Sequence, residues 1–134
     1  MARQKPPIRR PERKPATEFG RRVRVSEGFR TFALDQLSRT RDVLARNMFG
    51  GVGLYADDVF FGILAGDTLY LKCDDRTRER FVRAGSRPFT PDPNRPASTK
   101  YYEVPLAVLE DADELGRWVG DAVAAAGRSQ KRKR

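Results

Sequence analysis

The sequence predicts an α+β domain in which an antiparallel meander of four to five strands packs against about three helices. Apolar residues recur at helical spacing near both ends of the central region, and short apolar runs separated by two-residue turn signals lie between them. A chain of 134 residues is long enough for one domain with a hydrophobic core and too short for two ordinary ones.

The first predicted element is an amphipathic helix that begins after Ser26. Serine is a favoured N-cap residue, because its hydroxyl accepts a hydrogen bond from a free amide of the first turn. The side chains of Phe29, Phe32, Ala33 and Leu37 then follow at the spacing of one helical face.

Four strands follow this helix, and compact turn signals separate them. The predicted turns are Gly50-Gly51, Asp57-Asp58 and Gly66-Asp67. The predicted strands are 43–49, 51–56, 59–65 and 68–73.

Two-residue turns fix strand register, so the pairing can be counted from the turns. Counting from Asp57-Asp58 places Leu54 opposite Phe61 and Gly53 opposite Gly62. Two facing glycines would form a shallow trough, which a packed helix fills more often than a ligand does. Since both sheet faces are rich in apolar residues, we expect helices on at least one face and a helix or a partner, such as a second copy in a homodimer, on the other.

The second half of the chain predicts a short helix, a fifth strand and a long final helix. The short helix begins at Asp74 or Asp75 and runs through Phe81, with Gly85 in the left-handed conformation after it. A proline-rich loop precedes the fifth strand at residues 100–104. The final helix begins near Asp111 or Asp113 and carries an apolar stripe formed by Leu115, Trp118, Val119, Ala122, Val123 and Ala126.

Charge divides the chain into three parts. The net charge of the whole chain is +9, but residues 1–25 carry +7, residues 127–134 carry +5 and residues 26–126 carry −3. The first part is rich in proline and poor in apolar side chains, and the last part has no apolar residue. We therefore predict a mildly acidic domain at 26–126 between two disordered basic tails.

The composition also limits the chemistry that the protein can perform. The chain has no histidine, which excludes Ser-His-Asp and Cys-His nucleophiles and histidine zinc sites. Its single cysteine, Cys73, is predicted to be a buried thiol, and the aspartate pairs are predicted to serve turns and helix caps rather than a metal. We expect a cytoplasmic protein that is not an enzyme, has no cofactor and does not enter a membrane.

Two groups of residues are candidates for binding. The first lies in the predicted sheet and comprises Arg46, Met48, Phe49, Gly50, Gly51, Gly53, Tyr55, Gly62, Tyr101 and Tyr102. A phosphate-binding loop around Gly50-Gly51 is weakly indicated, since these glycines precede a strand rather than a helix, and a turn is the better interpretation. The second group could contact nucleic acid and comprises Arg9, Arg10, Arg13, Lys14, Arg128, Lys131, Arg132, Lys133 and Arg134.

Several separate motifs, taken in order, resemble the N-terminal domain of the TfoX/Sxy family. They are residues 48–55, 69–72, 85–89 and 101–105 together with Trp118, and the resemblance spans about residues 29–124. It implies a compact domain of helices packed on an antiparallel sheet, in bacterial proteins linked to competence and DNA transformation, without catalytic activity. Longer members carry a second helical domain and work with a transcription factor of the cyclic-AMP receptor type, whereas this chain ends in basic residues instead.

Three functions remain open on the sequence. The leading hypothesis is a non-enzymatic regulatory module that binds a protein partner of the transcription-factor type. The second is a nucleic-acid-associated protein that holds DNA or RNA through its basic tails without sequence preference. The third is a small-ligand binder or an enzyme that uses the trough at Gly53 and Gly62.

Overall fold

The computed structural model describes residues 24–133, which fold into a five-stranded sheet and four helices. The predicted tail residues 1–23 and Arg134 lie outside this range. In chain order the elements are α1 (Glu27–Ser38), β1 (Leu44–Met48), β2 (Gly51–Ala56), β3 (Val59–Ala65), β4 (Thr68–Lys72), α2 (Arg78–Arg83), β5 (Tyr101–Glu103), α3 (Leu106–Leu109) and α4 (Ala112–Lys133).

The strands form an antiparallel meander in the order β1-β2-β3-β4-β5, which confirms the predicted α+β class. Each of the first three connections is a two-residue turn with positive φ at both central residues. This backbone matches the right-handed twist of a hairpin, and it favours the glycine and aspartate residues that occupy most of these positions. The first turn is Phe49-Gly50, one residue earlier than predicted, while Asp57-Asp58 and Gly66-Asp67 are as predicted.

A β-bulge changes the predicted register between β2 and β3. The turn pairs Tyr55 with Phe60 as expected, but Phe61 then has no direct partner on β2, and Leu54 lies opposite Gly62. The predicted pairings of Leu54 with Phe61 and of Gly53 with Gly62 are therefore wrong. An extra residue in one strand shifts every later pair by one position and exchanges the two faces.

The bulge places the buried large aliphatic side chains of the sheet on a single face. Val52, Leu54, Leu64, Leu69 and Leu71 are all buried on it, together with α4 residues such as Leu115 and Val119. We call this the helix-covered face. The open face is the opposite side of the sheet, and it consists of Leu44, Arg46, Met48, Gly51, Gly53, Tyr55, Phe60, Ile63, Tyr70, Lys72, Tyr101 and Glu103.

Helix α1 begins at the predicted N-cap. The Ser26 hydroxyl accepts a hydrogen bond from the Phe29 amide at 3.2 Å, and the Ser26 amide donates to the Asp67 carboxylate at 2.7 Å. The second bond ties the start of the helix to the β3–β4 turn. Ala33 and Leu37 are buried as predicted, whereas Phe32 remains 40% exposed.

Helix α4 extends seven residues beyond its predicted end. Asp111 accepts hydrogen bonds from the Asp113 and Glu114 amides at its start, and the helix continues through Lys133. The disordered tail predicted from residue 127 is therefore corrected over 127–133. Arg128 explains part of the extension, because its guanidinium contacts the Asp74 carboxylate at 2.7 and 3.1 Å.

The remaining helices are short. Helix α2 ends in a Schellman arrangement in which Gly85 has φ of +74° and the Ser86 amide donates to the Phe81 carbonyl at 3.0 Å. Helix α3 was not predicted, because four residues after a proline give too little periodic signal. None of the helices in residues 24–133 combines the length and the apolarity that a membrane span requires.

Candidate functional site

A row of aromatic rings crosses the open face. The centroid of the Tyr55 ring lies 5.1 Å from that of Phe60, and the Phe60 centroid lies 5.9 Å from that of Tyr101. The two pairs are tilted rather than stacked, a geometry in which aromatic pairs attract. All three rings are half-buried, so the open face presents a partly accessible apolar surface.

Two cations lie at opposite ends of this row. The Arg46 guanidinium carbon lies 5.9 Å from the centroid of the Tyr55 ring, and the Lys72 ammonium lies 5.2 Å from that of Tyr101. Arg46 is exposed, whereas Lys72 is buried. Since a ring face attracts a positive charge, the two contacts hold both side chains against the row.

Two tyrosines of the open face, Tyr70 and Tyr101, have a raised pKa and are neutral at physiological pH. Burial, with a smaller effect of the nearby Tyr55, raises the pKa of Tyr101 to about 12. Burial also raises the pKa of Tyr70, whose ring lies 4.8 Å from that of Phe89 in the loop before β5. These hydroxyls therefore suit contact and hydrogen bonding, and they are poor proton acceptors near neutral pH.

Gly53 and Gly62 lie on different faces of the sheet and form no trough. A Cβ atom at Gly53 would lie 2.6 Å from the terminal methyl of Met48, on the open face. A Cβ atom at Gly62 would lie 2.9 Å from the Tyr70 carbonyl oxygen and would point among the leucines of the helix-covered face. Neighbouring side chains fill both positions, so the predicted ligand trough is wrong.

An acidic groove lies at one end of the open face, beside the β2–β3 turn. It has a volume of about 520 Å³, and its lining includes Tyr55 and Arg46 together with the exposed residues Asp42, Asp57 and Asp58. Arg41 approaches the Asp57 carboxylate at 3.6 Å, and the Asp57 side chain remains 78% exposed. The groove thus joins an aromatic wall to a carboxylate rim.

Several predicted candidates lie away from this surface. Tyr102 is on the helix-covered face, with its ring centroid 5.8 Å from that of Phe81. Phe49 and Gly50 form the β1–β2 turn, where Phe49 is 79% exposed. Cys73 is buried as predicted, and burial raises the pKa of its thiol, which keeps it protonated.

The basic residues predicted to contact nucleic acid differ in where they lie in the structure. Arg128 is engaged with Asp74, and this contact is the main cause that lowers the pKa of the Asp74 carboxyl to about 2. Lys131 is exposed on α4, and Arg132 and Lys133 are the last two residues of the same helix. The other predicted contacts, Arg9, Arg10, Arg13, Lys14 and Arg134, lie outside the described residues.

The structure brings together six of the predicted sheet candidates with residues that the prediction did not include. The six candidates on the open face are Arg46, Met48, Gly51, Gly53, Tyr55 and Tyr101, and the residues that complete it are Leu44, Phe60, Ile63, Tyr70, Lys72 and Glu103. The Asp57-Asp58 turn already placed Phe60 opposite Tyr55, whereas the bulge decides which face Tyr70 joins. Among residues 24–133, no group of three or more cysteine or acidic side chains is placed to hold a metal ion.

Comparisons with known proteins agree with the fold. The comparison with curated proteins found no match. The family described as the TfoX N-terminal domain matches residues 35–126, which include every strand and all but the last seven residues of α4 in the described structure. This span covers more than half of the chain, and the chain therefore belongs to the TfoX N-terminal domain family.

Proposed function

We propose that this protein is a non-enzymatic regulatory module that binds a protein partner through the open face of its sheet. Family membership supports a regulatory domain, and the arrangement of the helices supports the choice of surface. Helices α1 and α4 pack on the same side of the sheet, so among the described elements they leave the ring row uncovered.

The character of the open face suits a protein surface. Protein interfaces are enriched in tyrosine, phenylalanine, methionine and arginine, and the face offers Tyr55, Phe60, Tyr101, Met48 and Arg46 around one point. Tyrosine and arginine are also the side chains that most often dominate binding energy. A transcription factor is the partner class that the family favours.

Affinity capture from the native cell tests this proposal. The wild-type chain is compared with a Tyr55→Ala, Arg46→Ala double variant and with a matched control, Arg117→Ala, whose side chain is exposed on α4. We expect a defined partner that the wild type and the control recover and the double variant loses. Equal recovery by all three, with unchanged circular dichroism spectra, contradicts the proposal.

Nucleic-acid association is the second candidate function, and the extended α4 favours it. Three consecutive basic residues, Lys131, Arg132 and Lys133, continue an ordered helix instead of following it as free chain. Ordered elements hold cations in a defined geometry against phosphates, which is how nucleic-acid-binding proteins commonly use them. We expect such binding to be independent of sequence.

Salt dependence separates the two functions. Binding of a labelled DNA duplex through the basic residues should weaken steeply with salt. The logarithm of the association constant should fall with the logarithm of the salt concentration, with a slope of about −0.9 for each phosphate neutralised. A Lys131→Ala, Arg132→Ala, Lys133→Ala variant should lose about three such contacts, whereas Tyr55→Ala should leave the slope unchanged. If Tyr55→Ala changes the salt dependence of DNA binding and the triple variant does not, nucleic acid binds the open face instead.

A further inference from the structure

The two edge strands of the sheet, β1 and β5, differ in what pairs with their outer sides. On the outer side of β5 the Phe89 amide donates to the Tyr101 carbonyl at 2.9 Å. The Glu103 amide donates to the Arg87 carbonyl at 2.9 Å, so the loop before β5 covers this edge. Within residues 24–133, no backbone group hydrogen-bonds to the outer side of β1. An uncovered edge strand is a template for pairing with another strand.

The ladder between β1 and β2 determines which backbone groups lie on the outer edge. The two-residue turn makes Met48 and Gly51 a hydrogen-bonded pair, and such pairs alternate with non-bonded pairs along an antiparallel ladder. Every second residue of β1 counted back from Met48 therefore bonds to β2, and the amides and carbonyls of Ala45 and Asn47 point outward. These groups are the donors and acceptors that one more strand requires.

The extended segment from Asp42 to Arg46 carries one charge of each sign. Both side chains are exposed, and they line the acidic groove together with Leu44. Val43 packs against the core, which shows that the alternation of β1 continues back to Asp42. Four residues of extended chain separate the two charges by about 13 Å, too far for an ion pair within one copy. In the part of the chain that the structure describes, neither side chain has an ion-pair partner.

We propose that β1 pairs with β1 of a second copy of this chain, in antiparallel register with the twofold axis at Leu44. This register places Asp42 of each copy opposite Arg46 of the other, so the interface holds two opposite-charge pairs. It also places Leu44, which is 54% exposed, against Leu44 of the second copy. The two five-stranded sheets then form one continuous sheet.

The charges distinguish this register from the neighbouring ones. An axis at Arg46 would place the two arginines opposite each other, and an axis at Asp42 would do the same to the two aspartates. Like charges that lie directly opposite destabilise a strand pair. An axis at Ala45 would place Arg46 opposite Leu44 and Asp42 opposite Met48, which leaves both charges without a counterion. Only the axis at Leu44 satisfies both charges and the outward backbone groups.

The open face supports the same register. Leu44 lies directly opposite Tyr55 on β2, and Tyr55 lies directly opposite Phe60 on β3. Leu44 therefore continues the ring row to the edge of the sheet, and the twofold axis joins this row to the row of the second copy. Pairing removes an exposed leucine from water, which is favourable. The inference does not rest on the proposed function, because it needs only copies of this chain.

Charge reversal in the full chain tests the inference. Sedimentation velocity over a concentration series should show a monomer–dimer equilibrium for the wild type. Asp42→Arg and Arg46→Asp each place like charges opposite each other at both ends of the interface, so the dissociation constant of each variant alone should rise by about tenfold or more. An equimolar mixture of the two variants should form a heterodimer, since both charge pairs are then opposite in sign again.

Two results of this experiment overturn the inference. One is a set of equal dissociation constants for the wild type, both variants and the mixture, with circular dichroism spectra that show every variant folded. The other is a wild-type chain that is monomeric at every concentration, which would leave the edge to a strand of another protein.

A cysteine at the axis tests the register independently. In a Cys73→Ala background, Leu44→Cys places two thiols in a directly opposite, non-hydrogen-bonded pair with a Cα separation of about 4.5 Å, which suits a disulfide. Asn47→Cys is the matched control, because six residues of extended strand, about 20 Å, separate position 47 in the two copies. We expect an intermolecular disulfide from position 44 and none from position 47. Equal yields, or a higher yield from position 47, contradict the register.

The outcomes also separate this inference from the proposed function. Dimerisation is measured on the purified chain, and partner capture is measured in the cell. If the mixture dimerises as expected and capture does not depend on Tyr55 and Arg46, the proposed function fails and the dimer stands. If capture depends on these residues and the purified chain is monomeric, only the inference fails.

Discussion

Replacement of Arg128 by alanine tests whether the basic end of the chain is part of the fold. The Asp74 carboxylate accepts from the Arg128 guanidinium at 2.7 and 3.1 Å, and its side chain is 11% exposed. This contact is the largest cause that lowers the pKa of Asp74 from 3.8 to about 2. Taken alone, the pKa shift corresponds to about 2 kcal/mol of stabilisation. Because Arg128 is 30% exposed, solvent screening reduces the loss in the free energy of unfolding that we expect for Arg128→Ala to about 1 kcal/mol.

The pH dependence follows from the direction of the shift. A carboxyl whose pKa is lowered in the folded state contributes its full stabilisation above the unfolded pKa near 4 and loses it as the pH falls toward 2. Urea unfolding of Arg128→Ala should therefore show a deficit at pH 7 that shrinks steadily below pH 4. Lys131→Ala, an exposed change one turn later on α4, is the matched control and should be near neutral. Equal free energies of unfolding for the two variants at pH 7 would refute the role of this ion pair.

The remaining predictions concern the sheet, one helix end and the thiol. Gly62→Ala should cost about 2 kcal/mol in urea unfolding, because the new methyl meets the backbone carbonyl of Tyr70, while Gly53→Ala should cost about half of that, since it meets a mobile methionine end. The reverse order would contradict the placement of the two glycines. Gly85→Ala should lower the free energy of unfolding by about 1 kcal/mol, because a side chain is strained at a φ of +74° even though open space surrounds the site. An unchanged free energy of unfolding would argue against that backbone conformation. Cys73 should react with an alkylating reagent far more slowly than an exposed thiol until urea unfolds the chain, because burial raises its pKa, and prompt reaction in the native protein would show that it is accessible.

The hairpin connections show how far local sequence determines this fold. Asp57-Asp58 and Gly66-Asp67 tolerate the positive φ that two-residue turns need, so the positions of the strands were predictable within about two residues. The bulge after Phe60 was not predictable, because it arises where the large Phe61 ring enters the core and no turn residue marks it. That one extra residue places Leu64 instead of Ile63 opposite Val52, and it moves Ile63 and Tyr70 to the face of Tyr55.

The candidate surface could be predicted only in part for the same reason. Tyr55 and Tyr101 were identified as candidates and the turn placed Phe60 opposite Tyr55, but Tyr70 joined them only after the register was known. The end of the domain was also underestimated. Residues 127–133 contain no apolar side chain, and the contact that holds Arg128 is with Asp74, which is 54 positions away in the sequence. Local composition carries no signal of such a contact.

Site-specific photo-crosslinking in the native cell tests the central claim, that the open face is the surface through which this protein acts. A photoreactive phenylalanine analogue replaces Tyr55 on the open face in one protein and the exposed Arg117 on α4 in another. The account predicts a discrete protein adduct from position 55 that position 117 does not give. An adduct of equal yield from position 117, or adducts with nucleic acid alone from position 55, would contradict it.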